Sequence, residues 1–282
     1  MPLRKVRRAG WVVGRFIQAF DRKHCEIVRE SLRLAFPEKT EAWIMATSTA
    51  CFEHLGMMIC EMPYLLAAPL DELLKITRFH GLPLLEKAKA GKNGPFMLTG
   101  HIGNWEWCSL LIGARGYTGT IVVRPLDNPY IDRLVNQWRT RSGQEVMDKA
   151  SGARRLLKKV KSGETAGILL DQNMDWYDGP WVDFFGRPAC TNQGLALLAM
   201  ATKAPVMPLY CFRAADGCFD VYVGEPIPLA QSGDRTNDVW QNTQNYTRTL
   251  ENIIRENPAQ WLWMHRRWKT RNYCDWPREE NR

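Results

Sequence analysis

The sequence predicts an α/β protein: a single domain with a mixed, mainly parallel sheet flanked by helices, plus a helical N-terminal part. Three observations predict it. The 282 residues are 45% apolar and 24% charged, an ordinary balance for a chain with one sizeable core. Short apolar runs bounded by glycine or charge recur between residues 95 and 224, as buried strands do. Helical patterns lie between those runs, and strands alternating with helices build a mainly parallel sheet. The expected division is a helical, membrane-associating part over 1–90 and an α/β core over 91–282, compact as one domain.

The elements follow in order. "GWVVGRFIQAF" (10–20) sits among Arg4, Lys5, Arg7, Arg8, Arg15, Arg22 and Lys23. It reads as a basic amphipathic helix, able either to lie on an anionic membrane or to pack one apolar stripe on the domain. "DRKHCEIVRESLRLAF" and "TEAWIMATSTACFEHLGMMICEM" are helical, with Pro37 and Pro63 as stops. "PFMLTG" (95–100) is a strand, and Asn104 caps a helix beginning "WEWCSLLIGA". "GTIVVR" (119–124) is the next strand. A helix over 128–141 puts Ile131, Leu134, Val135 and Trp138 on one face. Helix 152–161, strand "AGILLD" (166–171), helix "QGLALLAMATK" (193–203) and strands "APVMPLY" (204–210) and "FDVYVG" (219–224) follow. A helix over 237–254 ends before Pro258, and no internal repeat or linker is visible.

A net charge of +8 and twelve tryptophans suit anionic lipid, acidic protein or nucleic acid. Nucleic acid is set aside, because no binding motif occurs and the tryptophans do not alternate along strands as a stacking platform. None of the eight cysteines forms a CxxC pair or has zinc spacing, which reads as reduced core thiols in a cytosolic compartment. A membrane-spanning helix needs about 20 apolar residues. Residues 10–20 are short and contain Arg15, while 42–70 contains Glu53, His54 and Glu61. No signal peptide is visible. A serine hydrolase would want a G-x-S-x-G elbow, and none occurs.

The chemistry gathers at "GHIGNWEW" (100–107), where His101 directly follows a strand and Glu106 lies in the first turn of the next helix. Open α/β sheets collect their sites at such turns. Gly100 and Gly103 let the backbone bend and leave space beside the ring. A glutamate folding back on one imidazole nitrogen would fix the tautomer and leave the other to take a proton from a hydroxyl. The expectation is a general base, His101, oriented by Glu106.

"HIGNWE" resembles the H-x4-D/E motif of the glycerolipid acyltransferase superfamily, and in particular the late acyltransferases of lipid A synthesis. Four further blocks are similar in order: "VVRPLDNPYIDRLVNQWRTRSG" (122–143), "KSGETAGILLDQN" (161–173), "VDFFGRPACTNQGLALLAMATKAPVMP" (182–208) and "PAQWLWMHRRWKTR" (258–271). The resemblance implies a glycerolipid acyltransferase-like fold. It implies transfer of a fatty acyl chain from an acyl carrier protein thioester to a hydroxyl of a lipid A precursor. It marks His101 and Glu106 as catalytic and Arg139 and Asp171 as site residues. Arg124, at a strand end, suits phosphate or the donor. No cofactor or metal is implied, because the thioester already carries the activation. Cys108, inside the helix, reads as packed rather than acylated. An acidic carrier protein and a phosphorylated glycolipid suit the basic groups Arg154, Arg155, Lys158, Lys159 and Lys161, and Arg266, Arg267 and Lys269 near Trp261, Trp263 and Trp268. The implied location is the cytoplasmic face of the inner membrane, peripherally associated with its anionic surface. The same blocks resemble mycobacterial acyltransferases for phosphatidylinositol mannosides, so the alternative is another glycolipid acceptor with acyl-CoA as donor.

Overall fold

The structure, a computed structural model, describes residues 2–148, 152–270 and 276. Its strands are β1 (Thr77–His80), β2 (Phe96–Thr99), β3 (Gly119–Val123), β4 (Glu145–Asp148), β5 (Thr165–Leu169), β6 (Trp181–Phe184), β7 (Arg187–Cys190), β8 (Val206–Arg213) and β9 (Phe219–Val223). Seven of them form one sheet in the order β1-β9-β8-β2-β5-β3-β4. β2, β3, β4, β5 and β8 run parallel, and β9 and β1 run against them. This is the mixed, mainly parallel sheet that the alternating pattern predicts.

Alternate side chains divide the core. Phe96 and Leu98 of β2 point to one face, where they meet Leu156 and Val160 of α8 (Ala153–Lys161), Leu195 of α9 (Gly194–Thr202) and Tyr246 of α10 (Arg235–Glu256). Met97, between them, points to the other face with Met207 and Leu209 of β8. These pack on Trp107 and Leu111 of α6 (Trp105–Ala114), and on Leu73 and Leu85 of α4 (Leu70–Lys75) and α5 (Leu82–Lys89). The central strands β2 and β8 are therefore buried on both faces, which explains their continuous apolar runs.

The N-terminal helices are α1 (Leu3–Phe20), α2 (Arg22–Ala35) and α3 (Glu41–Ala67). α1 and α3 touch through glycines. A Cβ on Gly14 would lie 2.1 Å from the Phe52 carbonyl oxygen, and one on Gly56 would lie 2.2 Å from that of Gly10. α3 reaches both cores, with Phe52 in one and Leu65 in the other.

Several expectations are corrected. Pro63 does not stop α3, which continues to Ala67. Leu65 anchors that last turn in the core, and Arg141 donates to the carbonyls of Leu65 and Ala68 at its end. Residues 1–90 are not wholly helical, since β1 lies within them. β1 and β4 are the two edges of the sheet, and their charged sequences "TRFH" and "EVMD" hide them from a search for apolar runs. The β6–β7 hairpin turns on Phe185 and Gly186, both at positive φ, without the usual Asn-Gly signal. On α7 (Pro129–Thr140) only Val135 and Trp138 of the expected face are buried, because nothing covers Ile131 and Leu134. Trp261, Trp263 and Arg267 are core residues rather than a surface anchor, and Arg267 donates to the Cys190 carbonyl and the Thr191 hydroxyl. Seven cysteines are free thiols, and Cys274 lies outside the described residues.

Candidate active site

β2 delivers the chain to the C-terminal edge of the sheet, and His101 stands two residues past its end. Gly103 follows at φ +57°, where a Cβ would lie 1.6 Å from the Cys211 carbonyl oxygen, so only glycine makes this turn. Asn104 then caps α6 by accepting the Trp107 N–H at 3.0 Å, worth about 1 kcal/mol. β5 is the neighbour of β2, and Asp171 lies just beyond its end. Gly100 gives that carboxylate room, since a Cβ there would sit 2.9 Å from the Asp171 Cγ.

His101 is held by Asp171. Its backbone N–H donates to Oδ2 at 2.6 Å, and its Nδ1–H donates to Oδ1 at 2.9 Å. The Trp261 indole N–H donates to the same Oδ2 at 2.8 Å. This fixes the tautomer with the Nε2 lone pair outward, where the Gln172 amide meets it at 3.3 Å. Burial weakens the proton affinity of the His101 ring, but the charge and hydrogen bond of Asp171 more than offset it, leaving the imidazole above its ordinary value. Burial likewise opposes ionisation of Asp171, yet His101 and the Trp261 donor hold its carboxyl well below the usual carboxylate range.

Glu106 does not hydrogen-bond His101, which corrects the expected pairing. It takes both arms of Arg139, Nε at 3.0 Å and Nη2 at 2.5 Å. An arginine fork matches a carboxylate better than a single imidazole nitrogen does. Glu106 acts on the ring through its charge, while Asp171 supplies the orientation. Arg124 stands apart: it is exposed on the cavity rim and pairs with Asp127 at 2.9 Å. Of the predicted residues, His101, Glu106, Arg139 and Asp171 come together and Arg124 does not.

A second, buried network backs the turn. Glu61 accepts from Arg7 at 2.8 Å, from Arg213 at 2.5 and 3.0 Å, and from the Asn104 amide at 2.9 Å. His54 donates from Nε2 to the Gly103 carbonyl at 3.1 Å and accepts from Arg213 at 2.8 Å. Burial and the neighbouring Arg213 lower its pKa to about 3, so it stays neutral.

In front of His101 opens a cavity of about 850 Å³. Its apolar lining includes Met97 of β2, Ile121 of β3, Cys108 and Ile112 of α6, and Tyr117. Gly167 forms its floor in mid-strand, where a Cβ would meet nothing nearer than an oxygen at 4.0 Å. Burial pushes the Cys108 thiol up to about 12, so no thiolate nucleophile stands beside the base. Among the described residues no group of three or more His, Cys, Asp or Glu is placed to hold a metal.

A base with an outward lone pair at the head of an apolar cavity suits transfer of a fatty chain to a hydroxyl. The chain matches, over residues 1–270, the family model described as bacterial lipid A biosynthesis acyltransferase. It belongs to that family. The lipid A biosynthesis lauroyltransferase of Escherichia coli (strain K12) is 27% identical over 278 residues, covering 96% of this chain and 87% of the relative. The palmitoleoyltransferase of the same organism is 24% identical over 265 residues, 93% and 84% of the two chains. A phosphatidylinositol mannoside acyltransferase of Mycobacterium tuberculosis (strain CDC 1551 / Oshkosh) is 28% identical over 193 residues, 67% of this chain and 58% of its own. The protein is thus a lipid A-family acyltransferase.

For this acyltransferase, sequence reasoning missed Gln172, Trp261 and His265 at the site and His54 and Glu61 behind it. A signal for the last two was present: charged and polar groups inside the apolar helix 42–70 mark buried partners as well as a failed membrane span. No local pattern tied Trp261 to Asp171.

Proposed function

We propose that the protein moves a fatty acyl chain from an acyl carrier protein thioester to a hydroxyl of a lipid A precursor. The observation that carries this reading is the outward Nε2 of His101, oriented by a buried carboxylate at the head of the apolar cavity. The acceptor hydroxyl displaces the Gln172 amide and gives its proton to Nε2. Its oxygen forms the ester bond as the carbon–sulfur bond breaks, and the proton passes to the leaving thiolate. Asp171 keeps the tautomer and balances the imidazolium. Glu106 adds charge and, through Arg139, fixes the start of α6 to α7. The fatty chain lies along β3, about 16 Å for its five residues. Arg124, exposed on the rim, takes a phosphate of the acceptor or of the donor's prosthetic arm.

No helix among the described residues is long and apolar enough to cross a membrane. α1 instead presents Trp11, Val12, Phe16 and Phe20 outward beside Arg8 and Arg15. In this reading that face seats the enzyme on the anionic surface where its acceptor resides, peripherally at the cytoplasmic side of the inner membrane. The mycobacterial relative supports a second reading, a phosphatidylinositol mannoside acceptor, which we pair with an acyl-CoA donor.

A mass-spectrometric assay separates the readings. Purified enzyme is offered lauroyl carrier protein or lauroyl-CoA, with the tetra-acyl lipid A precursor or phosphatidylinositol mannoside, and His101→Ala as control. A one-chain mass gain on the lipid A precursor from the carrier protein, absent in the variant, is the expected result. A gain on the mannoside alone replaces acceptor and pathway, and full turnover by His101→Ala removes the base.

A further inference from the structure

We propose that His265 is a catalytic residue that donates a hydrogen bond to the thioester carbonyl oxygen during transfer. The inference rests on the acyl-transfer reading above and adds a residue to it. His265 lies on the segment that clamps the catalytic turn. The Gly103 N–H donates to the Gln260 carbonyl at 2.6 Å, and the Leu262 N–H donates to the His101 carbonyl at 3.1 Å. The His265 N–H donates to the Leu262 carbonyl at 3.3 Å, closing a tight turn. This backbone brings both imidazoles to one cavity, with ring centroids 5.8 Å apart and planes tilted by 41°.

The His265 ring nitrogens have no hydrogen-bond partner among the described residues, although the ring is half-buried. Burial first, and His101 second, hold its proton affinity below the ordinary histidine value, with Asp171 and Arg267 as the other charged groups acting on it. The ring is therefore neutral at neutral pH. A neutral imidazole always carries one N–H, so it is a donor in either tautomer.

The donors closest to the His101 ring are largely engaged. While the hydroxyl oxygen bonds to the acyl carbon and before the carbon–sulfur bond has broken, negative charge gathers on the carbonyl oxygen. The Nδ1–H of His101 is held by Asp171, and its Nε2 is occupied by the hydroxyl proton. The backbone N–H groups of His101 and Gly103 are engaged by Asp171 and Gln260, and Arg139 by Glu106. Trp105 and Gln172 carry further donors at the site, and the Trp105 ring stands edge-on to His101 at 4.9 Å.

The test is steady-state kinetics on lauroyl carrier protein and the tetra-acyl lipid A precursor, and on the other donor–acceptor pairs above, for wild type, His265→Phe, His265→Gln and Trp105→Phe. His265→Phe keeps the ring area and loses the donor, so kcat falls about 100-fold while KM moves less than about 3-fold. His265→Gln restores an N–H and recovers about 10-fold or more of that loss. His265→Leu substitutes if the phenylalanine variant melts well below wild type. A kcat for His265→Phe within about 3-fold of wild type overturns the assignment. So does a glutamine variant no better than phenylalanine, which marks a packing role, or a loss carried by Trp105→Phe instead. A wild type that turns over none of the pairs removes the acyl-transfer reading itself and this role with it.

Discussion

Replacing Asp171 by asparagine removes the charge that raises the His101 proton affinity but leaves a side chain of the same shape. As the proposed base, His101 must be neutral to accept a proton, so activity in the wild type is expected to decline as pH falls through its raised value. In Asp171→Asn that acid limb shifts to lower pH, and kcat falls about 1,000-fold because the tautomer is no longer fixed. A pH–kcat profile of the two enzymes reads both effects. The same pair shapes stability. Asp171, held low, stabilises the fold above about pH 4 and loses that contribution as pH falls through its folded value. His101, held high, stabilises it below about pH 6.5 and loses that contribution as pH rises through its folded value. The melting-temperature gap between wild type and Asp171→Asn is therefore wider at pH 5 than at pH 8. His101, Glu106, Arg139 and Asp171 were named from the sequence, and their pairing was not. His101 and Glu106 are neighbours in "GHIGNWEW", but His101 meets Asp171 because β2 and β5 lie side by side, and strand order is not written locally.

The N-terminal helices do more than cover the sheet, because Glu61 of α3 ties Arg7 of α1 and Arg213 of β8 to the cap of the catalytic helix. The Glu61 carboxylate is fully buried, and its two arginines hold it below the ordinary range against the opposing effect of burial. Glu61→Ala leaves those arginine charges without their counter-ion and costs about 3–5 kcal/mol. For a chain of this size that lowers the melting temperature by roughly 10 °C, which calorimetry or circular dichroism measures. The outer face of α1 is testable separately. Trp11, Phe16 and Phe20 are exposed, so changing all three to serine leaves the melting temperature within about 2 °C. Binding to vesicles containing anionic lipid drops about 10-fold or more in the same variant, read by sedimentation. Helices were the most legible elements, because their apolar stripes repeat over several turns. Edge strands β1 and β4 escaped because charge belongs there, and the β6–β7 hairpin because an aromatic residue occupies its turn.

Across the whole molecule the sheet serves as both scaffold and mould. Gly167 of β5 lines the cavity without a side chain, and a Cβ there would meet nothing nearer than 4.0 Å. Gly167→Val adds volume into empty space, so the fold persists while long donors lose their place. The ratio of kcat/KM for a short chain over a long one rises about 10-fold, measured with carrier protein thioesters of graded length. The arrangement has one consequence for how the enzyme comes into being. His101, Asp171 and Trp261 form one cluster, yet Trp261 follows Asp171 by 90 residues. At a ribosomal pace of about 5–20 residues per second, Asp171 waits roughly 5 to 18 seconds for its indole. Strands β6 to β9 are synthesised in that interval, joining the five that precede Asp171. An unfinished chain thus completes its sheet before its site, and the proposed base is held in place only when the last segment has closed on it.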